Sequence, residues 1–180
     1  SVASRGRGDV YKRQITWGAP RLRQAIADKV RRFNGIEADP ETMITVTCGA
    51  TEAMIASLLG VMDPGDEVVV FEPFYENYGP DTIICGGKTR FVSLRGENFE
   101  WNPEELSAAF NENTRVVILN TPHNPSGKVF TRDELDALAA LCVEFDCLVV
   151  TDEIYEHIIY DGREHISVAT LPGMEDRTIT

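Results

Sequence analysis

The sequence predicts an α/β protein: a three-layer sandwich with helices on both faces of a mostly parallel sheet. Three observations lead there. Val116–Leu119 and Leu148–Val150 are short apolar runs rich in β-branched residues, each ending in polar ones, as buried strands do. Between them, TRDELDALAALCVEF carries apolar residues at helical spacing. Strand, loop, helix and strand in that order make a right-handed crossover onto a parallel sheet. Upstream, Met43–Thr47 and Glu67–Phe71 read as two further strands separated by the helical stretch MIASLLGVM.

The chain of 180 residues has room for one domain with a sizeable core, and its 43% hydrophobic and 26% charged content is ordinary for a globular protein. A net charge of −12 argues against nucleic acid or an anionic membrane as partner, since phosphates select basic surfaces. No apolar run is long enough to span a bilayer and no secretory leader pattern is present, so a cytoplasmic protein is expected. Cys48, Cys85, Cys142 and Cys147 lack C-x-x-C spacing and read as reduced core cysteines. His123, His157 and His165 show no metal-ligand spacing, and no metal site is expected.

In chain order, residues 1–14 differ from the rest. Arg5, Arg7, Lys12 and Arg13 against Asp9 give this stretch +3, which leaves −15 for the remainder. It lacks apolar periodicity and is expected to be a flexible basic arm or foreign sequence, with residues 15–180 forming the domain. Gly18-Ala-Pro opens a helix whose apolar stripe is Leu22, Ile26, Val30 and Phe33, and Asn34-Gly35 stops it. After Thr47, Cys48-Gly49-Ala50-Thr51-Glu52 joins a strand to a helix start. Free backbone N–H groups and the helix dipole make that turn an anion site, with a plainly capped helix as the competing reading. Asp63–Asp66 is a turn before the Glu67–Phe71 strand, whose end carries the aromatic run Phe74, Tyr75 and Tyr78. A short helix ending at Gly86-Gly87 and a strand over Thr89–Leu94 follow. Asn102 is the expected N-cap of the next helix, with Pro103 in its first turn. Ser167–Thr170 is ambiguous, and Arg177–Thr180 reads as the start of a strand.

Ligands of open parallel sheets sit beyond the carboxyl ends of the strands, where Asn120, Asn124, Asp152 and Tyr155 all fall. Pro125 and Gly127 fix the turn that aims Asn124. Lys128, just after that turn, is expected to face solvent. Glu153 is expected to point away from Asp152 and to serve as a structural partner. His123 is near the site but reads as loop surface.

Asn-Thr-Pro-His-Asn-Pro-Ser-Gly followed by Thr-Asp-Glu-Ile-Tyr resembles the large domain of class I/II aminotransferases, the fold-type I pyridoxal-phosphate enzymes, from about Ile15 to Thr180. The resemblance implies a mixed, seven-stranded sheet when complete, pyridoxal 5'-phosphate as cofactor, and a homodimer acting on amino acids and 2-oxo acids. It implies Ala50 and Thr51 at the cofactor phosphate and Tyr75 stacked on the ring. Asn124 and Tyr155 would donate to the ring's 3-hydroxyl oxygen, and Asp152 would face its nitrogen. Gly18 and Asn120 would lie on the substrate side. Five positions before Gly18, where family members usually carry a tyrosine reaching the neighbouring subunit's cofactor, this chain has Arg13. None of Lys12, Lys29, Lys88 and Lys128 stands in the family's Ser-x-Ser-Lys-like context. The expectation is therefore a fragment without the Schiff-base lysine, inactive alone. GAPRLRQAIA and FEPFYENY look most like the kynurenine, methionine, aromatic and aspartate aminotransferase branch. A C–S lyase or aminocyclopropane-carboxylate synthase of the same fold, or a non-catalytic PLP-sensing regulator, are the alternatives.

Overall fold

The structure, a computed structural model, describes residues 15–180; the basic stretch over residues 1–14 lies outside them. Five strands form one parallel sheet: β1 (Glu67–Glu72), β2 (Lys88–Ser93), β3 (Thr114–Asn120), β4 (Leu148–Asp152) and β5 (Thr178–Ile179), in the order β2-β1-β3-β4-β5. Strand periodicity sends alternate residues to opposite faces. Val69, Phe71, Val117, Leu119 and Val149 pack in one apolar cluster, and Val68, Val70, Val116, Ile118 and Val150 in another. Because both sets are buried, the strands read as continuous apolar runs rather than alternating ones.

Helices supply the outer layers. Helix α1 (Pro20–Lys29) precedes the sheet. Met54 and Leu58 of α2 (Gly49–Val61) and Tyr78 of α3 (Tyr78–Ile84) cover the second face. Leu106 of α4 (Pro103–Ala108) and Leu135 and Leu138 of α5 (Arg132–Glu144) cover the first. The caps follow the sequence. Asn102 accepts the Glu105 N–H at 2.8 Å, and Thr131 with Glu134 forms a reciprocal capping box at the start of α5.

Three local expectations are corrected. Met43–Thr47 joins no ladder: Val46 N–H donates to the Trp17 carbonyl at 3.0 Å instead of to a strand. Burial of Ile44 accounts for its strand-like pattern, while a cavity of about 650 Å³ is lined both by Met43–Thr45 and by Thr178–Thr180 at the β5 edge. Lys128 does not face solvent. It is buried, with Nζ 2.7 Å from Glu134 Oε1, 3.2 Å from the Asn98 carbonyl and 5.1 Å from the centre of the Phe130 ring. An ammonium tolerates such burial because the carboxylate and carbonyl replace its water. His123 is likewise buried and not loop surface.

Candidate functional site

The site is built where β3 and β4 end side by side, with Asn120 directly opposite Asp152. Asn120 is buried and uses its amide in two directions. Its Nδ2 donates to the Asp152 carbonyl at 2.8 Å, and its Oδ1 accepts the Asn124 N–H at 2.6 Å. Thr121 N–H adds a second bond to the Asp152 carbonyl at 3.0 Å. One side chain thus clamps the Asn-Pro-Ser-Gly turn onto the neighbouring strand end.

The turn has its own closure. Gly127, at φ +72°, sends its N–H to the His123 carbonyl at 2.7 Å, and His123 N–H reaches the Lys128 carbonyl at 2.8 Å. His123 Nδ1 lies 2.7 Å from Ser126 Oγ. Burial, reinforced by the Lys128 charge, pushes the His123 imidazole down to about 4, so it is neutral at physiological pH.

Asp152 receives two donors. Tyr78 O–H donates to Oδ2 at 2.8 Å and Ile154 N–H to Oδ1 at 3.2 Å. Burial, then the Asp152 charge and hydrogen bond, push the Tyr78 phenol far above the ordinary tyrosine value, which keeps it a donor. Among the described residues no lysine, arginine or histidine pairs with Asp152. Its carboxylate is oriented by those two donors.

A cavity of about 170 Å³ gathers these groups. Asn120, Asn124, Asp152 and Tyr155 line it from the β3 and β4 ends. Ala50 and Thr51 line it from the start of α2, and Tyr75 from the segment after β1. Tyr75 lies edge-on to Tyr78, with ring centres 5.8 Å apart, and is half-buried where it lines the cavity. Phe74 stacks on Phe91 at 5.3 Å and belongs to the packing, as its sequence position suggests. Gly18 is not among the lining residues. It sits at φ +111°, and a Cβ there would come within 2.5 Å of Val46 Cγ2, so it serves the close approach of two chain segments.

The capped-helix reading of the Cys48–Glu52 turn is observed directly. The Glu52 carboxylate takes the Cys48 N–H, which is ordinary capping. Ala50 and Thr51 remain exposed on the first turn of a 13-residue helix, whose leading amides have no helical acceptor. Gly49, at φ +84°, would bring an added Cβ against nothing within 4 Å, so its role is conformational. Tyr78 is the one partner of Asp152 that sequence reasoning left without a role. Its only signal was an aromatic three residues after Tyr75, opening a short helix.

A family model described as aminotransferase class I and II matches residues 5–179. The chain belongs to that family. The match begins inside the basic stretch over residues 1–14. Kynurenine–oxoglutarate transaminase 1 from Homo sapiens is 42% identical over 186 residues, covering 96% of this chain and 44% of that protein. A probable N-succinyldiaminopimelate aminotransferase from Mycobacterium tuberculosis is 43% identical over 165 residues, covering 91% and 42%. The solved structure of N-succinyldiaminopimelate aminotransferase from the same organism superposes with a TM-score of 0.90 at 41% identity, over 95% of this chain and 45% of that one. The aromatic aminotransferase from Pyrococcus horikoshii gives 0.89, also at 41%, over 93% and 45%. The chain therefore spans less than half the length of these class I and II relatives. Pyridoxal 5'-phosphate is the usual cofactor of aminotransferases, and the donor set here fits it: helix amides for a phosphate, a tyrosine face for a ring, and an unneutralised carboxylate for a ring N–H.

Proposed function

We propose that residues 15–180 are part of the cofactor-holding large domain of a pyridoxal-phosphate-dependent aminotransferase, which moves an amino group between an amino acid and a 2-oxo acid. The observation that carries the reading is Asp152, a carboxylate held by Tyr78 and Ile154 N–H, facing the cavity with no basic partner among the described residues. When bound, the cofactor supplies an electron-withdrawing ring that stabilises negative charge developing on the substrate carbon. The chain's own residues hold that ring and set its charge. Asp152 keeps a proton on the ring nitrogen, since an adjacent anion favours the cationic form. Asn124 and Tyr155 would donate to the ring hydroxyl oxygen, Tyr75 would stack on the ring, and Ala50 and Thr51 would bind the phosphate. Asn120 orients the Asn124 loop and faces the substrate side, with Gly18 assigned to that side by family resemblance alone. No lysine lines the cavity among the described residues, so we assign no catalytic residue to this chain. By the same resemblance the whole enzyme acts as a homodimer; a cytoplasmic location is proposed from the sequence reading alone.

The test uses pyridoxamine 5'-phosphate, the amine form of the cofactor, which needs no lysine to bind. Titrated into the purified chain and followed by its own absorbance and fluorescence, it is expected to bind saturably. Asp152→Ala is expected to weaken binding at least tenfold, about the loss of one charge-assisted hydrogen bond. Absence of binding, or equal affinity of the variant, would overturn the reading.

A further inference from the structure

Beside the cavity, and outside its lining, a buried polar network joins the end of α1 to the turn after β4. Glu153 is its centre, with only 4% of its side chain exposed. Its Oε1 accepts the Ser167 hydroxyl at 2.9 Å. Its Oε2 lies 2.6 Å from His165 Nε2 and accepts Asn34 Nδ2 at 3.2 Å. Asn34 also donates from Nδ2 to Glu156 Oε2 at 2.7 Å, and its Oδ1 accepts Lys29 Nζ at 2.9 Å. Lys29 closes the chain of contacts with an ion pair to Glu156. Burial raises the Glu156 carboxyl, but the Lys29 and Asn34 hydrogen bonds outweigh it and hold the group below its ordinary value.

The backbone is shaped for this. Lys29 and Asn34 are five residues apart and would diverge on a regular α-helix. The chain makes a π-turn over Val30–Asn34, and that wider turn brings both toward the same side before Gly35, at φ +74°, ends it. Glu153, Glu156 and His165 are near enough together to suggest a cation site. The Lys29 ammonium and the Asn34 amide already engage those carboxylates, so the positive charge is supplied by the protein.

We propose that Glu153 and Asn34 are positioning residues: they lock the Asp152–Tyr155 turn in addition to the Asn120 clamp. Glu153 follows Asp152 directly, and its carbonyl accepts the Glu156 N–H at 2.9 Å, so anchoring its side chain fixes the turn that carries Asp152 and Tyr155. Past Asp152, Glu153 is the deeply buried residue of that turn: Ile154 and Tyr155 are exposed, and the segment forms turns rather than a helix. The consequence for cofactor affinity rests on the assignment of Asp152 above; the locking itself does not.

The experiment is amide hydrogen exchange by NMR on the ligand-free full chain, in wild type, Asn34→Ala and the milder Ser167→Ala. The reporters are Glu156 N–H and Ile158 N–H, which bond within the turn, against Val117 and Ile118 inside β3. Asn34→Ala is expected to speed exchange at the turn roughly 10- to 100-fold with β3 unchanged, and Ser167→Ala about threefold at the same amides. Unchanged turn amides would overturn the proposal. So would equal acceleration of turn and β3, because that is a general packing role. Pyridoxamine 5'-phosphate titration separates the two readings. If wild type binds none, the cofactor assignment falls while exchange still decides the lock. If wild type binds and Asn34→Ala binds equally well despite a loosened turn, the lock does not serve the site.

Discussion

The two ends of the cavity are held by different means. At the end proposed for the ring, Asn120, Tyr78 and Asp152 belong to or pack on the sheet, and each makes a side-chain hydrogen bond. At the phosphate end, Ala50 and Thr51 are exposed on the first turn of α2, and what they offer is backbone N–H. The ring end depends on side chains whose loss breaks structure and site together. The phosphate end depends on the helix terminus itself and tolerates side-chain change. On the proposed assignment the distinction suits their tasks, because protonating one ring nitrogen needs an oriented group, whereas a phosphate needs only convergent donors and a favourable dipole.

The largest effect of a single substitution at neutral pH is expected at Asn120. Asn120→Ala orphans the half-buried Asn124 N–H and removes one bond to the Asp152 carbonyl, at roughly 2–3 kcal/mol in denaturant unfolding. Stability within about 0.5 kcal/mol of wild type would break the comparison. The neighbouring turn gives a pH signature. The His123 imidazole is depressed to about 4 from an ordinary 6.5, so the unfolded chain takes up its proton first. Its contribution is full above pH 6.5, and stability falls as pH drops through that window toward 4. Roughly 2–4 kcal/mol is at stake. His123→Gln is expected to flatten that part of the urea-unfolding pH profile. Tyr78→Phe should cost about 1–2 kcal/mol and weaken pyridoxamine phosphate binding several-fold, since Asp152 loses its O–H donor. The smallest effect is expected at the phosphate end. Thr51→Ala should leave stability within about 0.5 kcal/mol and lower the affinity no more than tenfold. A larger stability loss there than at Tyr78 would invert the comparison.

The same division explains what the sequence disclosed. The β3–α5–β4 unit was legible because its strands are buried on both faces and its helix carries a capping box, signals that are local. Asn120, Asn124, Asp152 and Tyr155 followed from the rule that ligands lie beyond strand ends, and the cavity gathers all four. Ala50, Thr51 and Tyr75 needed family resemblance beside the local pattern, and they line the same cavity. The failures were non-local. Met43–Thr47 has strand composition, but a ladder depends on a neighbour that composition does not describe. Lys128 and His123 look like loop residues until the fold brings Glu134, Asn98 and Phe130 against them. Tyr78 could be tied to Asp152 only by the packing of α3, since 74 positions separate the two.

The most direct measurement is the ¹⁵N NMR shift of the ring nitrogen in ¹⁵N-labelled pyridoxamine 5'-phosphate bound to the chain at pH 8. The expected result is a protonated, pyridinium-type shift in wild type that moves toward the unprotonated value in Asp152→Asn. An unprotonated ring in wild type, or the same shift in both proteins, would contradict the role given to Asp152.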